Sequence, residues 1–281
     1  MNFLYRKKIE YNILINKILI ILILIFYIIG YYGRKNIRKI SKTKLINKNI
    51  RLIDNNKLKN FISYSQFLED LILFSFLYEI KRGFYIDIGA NDPDEISVTK
   101  AFYLRGWSGI NIEPLPEKYK SLSINRVRDI NLQIGIGDKK GNSILYLMKK
   151  GSTTSNIYSN NQTKTLNITI DTMKSICEKY LPKGKEIDFC KIDIEGDEKN
   201  ALLGFDFENY RPKIFCIEST KPGTNIPCFD NWEYILLRND YSFVYEYKIN
   251  RYYVDNTVYG LKEKLFYVQE NIKNYKIKYH K

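Results

Sequence analysis

Apolar and polar positions change their period repeatedly between Phe61 and Tyr247. Residues 67–80, FLEDLILFSFLYEI, have the length and period of a helix. A short apolar, β-prone run follows at residues 83–89, with Asp87 near its end. Residues 95–104 read as a helix, 109–114 as a second strand stopped by proline, and 117–124 as another helix. Residues 130–136 form a third strand closing on Gly137 and Asp138. Residues 143–148 and 165–170 alternate apolar with polar side chains, the pattern of an antiparallel pair or inserted hairpin. Residues 171–180 predict a helix with Asp171 as its N-cap. Two more buried strands, 189–194 and 213–218, enclose a helix at 197–203. A helix at 232–239 and a strand at 241–247 complete the series. Nearly all-apolar strands separated by helices predict an α/β fold, a mainly parallel sheet with helices on both faces. The chain has no internal repeat.

Upstream, residues 18–32 (ILIILILIFYIIGYY) are an unbroken apolar and aromatic run. Extended back to residue 12 it gives about 21 residues, enough to cross a bilayer as a helix. A cleaved signal peptide needs small residues at its end, whereas bulky Tyr31 and Tyr32 lead into Arg34 and Lys35. Residues 1–33 therefore read as an uncleaved transmembrane signal anchor and 34–60 as a basic juxtamembrane stalk. Four basic residues (Arg6, Lys7, Lys8, Lys17) precede the run and seven (from Arg34 to Lys48) follow it. That excess places the body on the cytoplasmic side of a single-pass membrane protein.

Charge sharpens this division. The 281 residues carry a formal net charge of +14, yet residues 1–60 hold 14 Lys+Arg against 2 Asp+Glu. Residues 61–272 hold 27 against 29, a net −2, and residues 273–281 are a basic tail. A near-neutral body excludes a nucleic-acid binder, whose basic surface belongs to the folded domain. Four irregularly spaced cysteines (Cys177, Cys190, Cys216, Cys228) make neither a zinc site nor a disulfide framework. The single histidine, His280, lies in the tail, so the body has no histidine base or ligand.

The predicted strands become polar at one recurrent place, their carboxyl ends. Asp87 and Gly89 end the first, Glu113 the second, Asp138 the third, Asp193 and Glu195 the fourth, and Glu218 the fifth. One such residue more often caps the next helix. Five put several carboxylates along the edge where open α/β sheets bind ligands. Crowded carboxylates repel one another unless they hold a cation or a hydroxyl-rich ligand. Glu113 is placed to accept from a ribose diol, and Asp138 from an adenine amino group. Gly89 lets backbone approach a ligand, but the turn is not G-x-G-x-x-G, and Asp92 and Asp94 would repel a pyrophosphate. A nucleoside with a cationic extension, such as the sulfonium of S-adenosylmethionine, suits this edge. An NAD-dependent oxidoreductase and a non-catalytic, membrane-tethered nucleoside-binding module are the competing classes.

Tyr64-Ser65-Gln66-Phe67-Leu68-Glu69-Asp70, then Phe84-Tyr85-Ile86-Asp87-Ile88-Gly89-Ala90-Asn91, resembles the opening of the FkbM-type methyltransferases. The segments Gly106 to Pro114, Thr169-Ile170-Asp171-Thr172 and Lys191-Ile192-Asp193-Ile194-Glu195-Gly196 continue the likeness in the family's order, over about residues 61–220. The resemblance implies a Rossmann-like class I methyltransferase fold in residues 61–272. It also implies S-adenosylmethionine-dependent O-methylation of a sugar, polyketide or other small polyhydroxylated acceptor. By that likeness Ser65, Gln66, Asp87, Gly89 and Asn91 belong to the cofactor-binding set, with Glu113 at the ribose and Asp138 at the adenine end. Asp197 departs from the small residue that the family often has there.

A base must take the acceptor's hydroxyl proton, and the candidates are Asp193, Glu195 and Glu218, with Lys191 on the same side of its strand as Asp193. A metal-independent reaction is the favoured form. Its variant has Mg²⁺ held by Asp193 and Glu218. Residues 151–160 are a polar loop, either facing the acceptor or merely at the surface. Trp107, Trp232, Tyr245 and Tyr247 would either stack on a sugar or pack in the core.

Overall fold

A computed structural model describes residues 61–147, 164–262 and 264, together with the backbone of Ser155–Asn156 and Lys278–Tyr279. All of them lie within one compact unit, Ile53–Lys281. The apolar run at 18–32, the stalk and most of the 151–160 loop fall outside the described residues. Among the described residues no helix is long and apolar enough to cross a membrane.

The strands in chain order are β1 (Ile62–Ser63), β2 (Phe84–Ile88), β3 (Ser108–Ile112), β4 (Ile130–Leu132), β5 (Gly135–Ile136), β6 (Gly141–Leu147), β7 (Ser155–Asn156), β8 (Lys164–Asp171), β9 (Phe189–Ile192), β10 (Ile214–Glu218), β11 (Tyr241–Tyr247), β12 (Asn250–Asp255) and β13 (Lys278–Tyr279). The helices are α1 (Glu69–Leu77), α2 (Lys100–Leu104), α3 (Pro116–Asn125), α4 (Met173–Tyr180), α5 (Glu198–Leu203) and α6 (Glu233–Arg238).

Seven strands form the central sheet in the order β11-β12-β10-β9-β2-β3-β4. The pairs from β10 to β4 are parallel; β12 runs antiparallel to both β10 and β11. The mainly parallel sheet expected from the pattern is present, and β12 is an addition. Its sequence, NRYYVD, is buried along its whole length, so it shows neither the alternation nor the apolar run by which strands are recognised.

Alternation across the sheet divides the core in two. Phe84, Ile86 and Ile88 of β2 join Cys190, Ile192, Phe215 and Ile217 on the face covered by α4, α5 and α6. Tyr85 and Phe189 point the other way, into a core with α1, α2 and Trp107. Helices on both faces follow from strands buried on both faces. Trp107 and Trp232 are both core residues, and Tyr245 and Tyr247 stack on each other on the edge strand. Cys177, Cys190 and Cys216 are buried and Cys228 partly so; all four are free.

Other departures from the sequence pattern have local reasons. The helix expected at 95–104 contracts to α2, because Ile96 takes a positive φ of 54° that no helix tolerates. The strand at 130–136 splits: β4 ends the large sheet, whereas β5 pairs with β8 in a second sheet of order β5-β8-β6-β7. Helix α4 is capped by Thr172, whose side chain accepts from Ser175 N at 3.2 Å, and not by Asp171, which belongs to β8. The alternating stretches at 143–148 and 165–170 do form an antiparallel pair, β6 with β8.

Candidate active site

The register of the sheet assembles the site. Ile217, Ile192, Ile88 and Ile112, with Leu132, form one row across five parallel strands. The next residues along the chain are therefore level with one another: Glu218, Asp193, Gly89 and Glu113. With about 4.8 Å between neighbouring strands, this row runs along the carboxyl edge of the sheet. The strand order reverses between β2 and β9, the switch point at which such sheets bind ligands. A cavity of about 410 Å³ opens there, lined by Gln66, Gly89, Asn91, Glu113, Lys191, Asp193, Glu195 and Glu218 among others.

Gly89 earns its place chiefly through backbone packing. Its φ is +79°, and a Cβ there would run into the Asp193 carbonyl oxygen. The glycine thus lets the turn after β2 lie against the loop after β9, although it also borders the cavity. Asn91 follows with φ 51°, a left-handed turn that asparagine tolerates better than most. Its N–H donates to Glu113 Oε2 at 2.8 Å, and Leu115 N donates to Glu113 Oε1 at 2.9 Å. Burial raises the Glu113 carboxyl above its usual range. Each of its oxygens keeps one further lone pair for a ligand.

Asp87 lies one layer beneath this edge. It is buried, does not line the cavity, accepts from Thr99 Oγ1 at 3.0 Å and sits 3.7 Å from Lys191 Nζ. Lys191 is its register partner on β9. The Lys191 ammonium donates to the Gly89 carbonyl at 3.0 Å and pairs with Asp193 Oδ2 at 3.4 Å. One buried cation thereby ties the turn after β2 to the loop after β9.

The opening motif at 64–70 makes a strap held from below. Asp70 accepts from Ser63 Oγ, Ser65 Oγ, Tyr64 N and Leu71 N, all within 2.8 Å. Ser65 is consumed in this buried cluster and does not reach the cavity; Gln66 and Phe67 do. Glu69 anchors the same strap by accepting from Phe67 N and Asn250 Nδ2. Asp138, expected at the adenine end, is exposed beyond β5 and outside the lining. Because the chain leaves the large sheet at residue 133, its place is taken by an apolar wall of Ile134, Ile136, Leu145, Ile168 and Ile170. That wall draws on β6 and β8, which the sequence pattern does not connect with the site.

At the other end of the row three carboxylates converge. Asp193, Glu195 and Glu218 each bring an oxygen within 4.8 Å of the others. Glu195 holds a positive φ of 56°, an unusual conformation for this residue. Burial, followed by repulsion from Asp193 and Glu198, pushes its carboxyl up to about 7. Glu218 is 5% exposed, and burial together with Asp193, Glu195 and Glu198 pushes it up to about 10. One oxygen of Glu195 and one of Glu218 are buried without a hydrogen-bond partner. Behind them Glu198, which the motif reading passes over, accepts from Ile194 N and Gly196 N and so braces the loop that carries Glu195.

A family model described as the methyltransferase FkbM domain matches residues 87–243, more than half of the chain. The chain belongs to the FkbM methyltransferase family. The matched region begins at Asp87 and takes in Glu113, Lys191, Asp193, Glu195 and Glu218, so the FkbM domain carries the whole carboxyl-edge row. A search of curated proteins gives no match.

Proposed function

We propose that this FkbM-family protein is an S-adenosylmethionine-dependent O-methyltransferase acting on a hydroxyl of a sugar, glycan or similar polyol. The observation carrying this reading is the layout of a single cavity, apolar at one end of the sheet edge and acidic at the other. An adenine fits the apolar wall by Ile134 and Ile168, and a ribose diol fits the free lone pairs of Glu113. The cofactor, when bound, supplies a methyl group on a sulfonium for in-line displacement. Gly89 and Asn91 border its middle, and Asp138 takes no part. The acidic end favours a positive charge and presents acceptors that orient a hydroxyl. Asp193, a third exposed and paired with Lys191, is the group placed to receive the hydroxyl proton, with Glu195 and Glu218 beside it.

Calorimetry of the full chain in detergent separates the classes. Binding is expected for S-adenosylmethionine and for its demethylated product, with none for NAD. No heat with the first two would sink the methyltransferase reading, and heat with NAD alone would favour an oxidoreductase. Binding without methyl transfer to any polyol would favour the non-catalytic module.

The same proposal keeps residues 1–33 as a membrane anchor, 34–60 as a basic stalk and residues 61–272 as the enzyme on the cytoplasmic side. Its topology is checked by expression in a glycosylating host. The sequons at Asn161 and Asn167 should stay unmodified, and a glycan on either would reverse the orientation.

A further inference from the structure

We infer that Asp193, Glu195 and Glu218 form a binding site for one hard divalent cation of the Mg²⁺, Mn²⁺ or Ca²⁺ type. Two oxygens on one ion lie no farther apart than twice the metal–oxygen distance, about 4.2 Å for Mg²⁺ and about 4.6–5.2 Å for Ca²⁺. The three carboxylates, with oxygens within 4.8 Å of one another, meet that limit pair by pair for Ca²⁺ and must draw closer together to hold Mg²⁺ or Mn²⁺.

An acidic cluster alone would be weak ground. The second observation is Glu218, only 5% exposed, which brings one carboxylate oxygen into the cluster and whose Oε2 is buried without a hydrogen-bond partner. The buried Oε2 of Glu195 is in the same condition. Buried acceptors are seldom left so, and an ion is one of the partners that satisfies them. Among the described residues, the ammonium paired with the cluster is that of Lys191, which is already shared between Gly89 O, Asp87 and Asp193 Oδ2. All-oxygen donors select hard cations over zinc or copper.

The ion's role, though not its binding, rests on the methyltransferase reading. An ion of this class keeps open positions, normally filled by water. A hydroxyl of the acceptor would take one and be oriented beside the cofactor end of the cavity.

The test uses the full chain without S-adenosylmethionine, so that it stands apart from the cofactor reading. Mn²⁺ titration followed by electron paramagnetic resonance should show one bound ion per chain, displaced by Mg²⁺ or Ca²⁺. Glu218→Gln and Glu195→Gln should each weaken it by about tenfold or more, as loss of a ligand costs at least what loss of its support does. Asp230→Asn, at an exposed acid on the short helical turn Phe229–Asn231, should leave it unchanged. In EDTA each variant should still bind S-adenosylmethionine, which shows that the fold and cofactor end are intact. The inference is overturned if wild type binds no Mn²⁺ at millimolar concentration, or if the two Gln variants bind like wild type. Equal loss in Asp230→Asn overturns it too.

Discussion

Asp193→Asn is expected to lower kcat by about 10²–10⁴-fold, the usual contribution of a positioned acid or base, while leaving the thermal midpoint close to wild type. The side chain is a third exposed, so an isosteric amide opens no cavity. Lys191 keeps its bond to the Gly89 carbonyl and its partner Asp87, so the turn after β2 stays in place. What disappears is the one cluster carboxylate that is both open to a ligand and paired with a cation. Methyl transfer from labelled S-adenosylmethionine to whichever polyol supports wild-type turnover measures the loss. Calorimetry should show cofactor affinity nearly unchanged, which separates a defect in chemistry from one in binding. A kcat within tenfold of wild type would remove Asp193 from the reaction.

That Asp193 and Glu218 meet was only half legible in the sequence. Each visibly ends an apolar run, but their meeting depends on register. Ile192 of β9 pairs with Ile217 of β10, which sets the two following acids side by side. Strand ends that are polar in sequence become a site only when the rows align, and they do align for Glu218, Asp193, Gly89 and Glu113. Asp138 shows the converse. It follows the same kind of run, yet Gly135 pairs with Ile170 in the second sheet, and the row is left before Asp138 is reached. Ser65 and Asp87 belong to motif segments and are buried beneath the site, because a motif records the residues that hold a loop as well as those that touch a ligand. Glu198 left no pattern to read; only the fold turns it inward under the loop of Glu195.

Glu198 also leads to the second large effect, a fall in stability as pH rises from 5 to 9 in the metal-free protein. Its carboxyl lies at about 7 in the fold, up from the usual 4.5, because burial disfavours its charge and Asp193 repels it. Between those values the folded chain binds more protons than the unfolded chain, so each step up in pH favours unfolding. Stabilisation by the neutral form is complete below about pH 4.5 and is lost through pH 7, at a cost on the order of 3 kcal/mol. Glu195 and Glu218 act in the same direction. The depressed carboxyls, Asp92, Glu186, Asp206 and Asp255, act only under acid conditions, below their usual 3.8 to 4.5, and do not offset this window. Glu198→Gln keeps a carbonyl for the Ile194 and Gly196 N–H groups and cannot ionise. Its midpoint relative to wild type should rise with pH, by about 6–12 °C between pH 5 and pH 9. Thermal unfolding of both proteins in EDTA across that range measures the difference. Parallel curves would mean that Glu198 does not bear the charge of this site, and that its two hydrogen bonds hold the loop equally well in either protonation state.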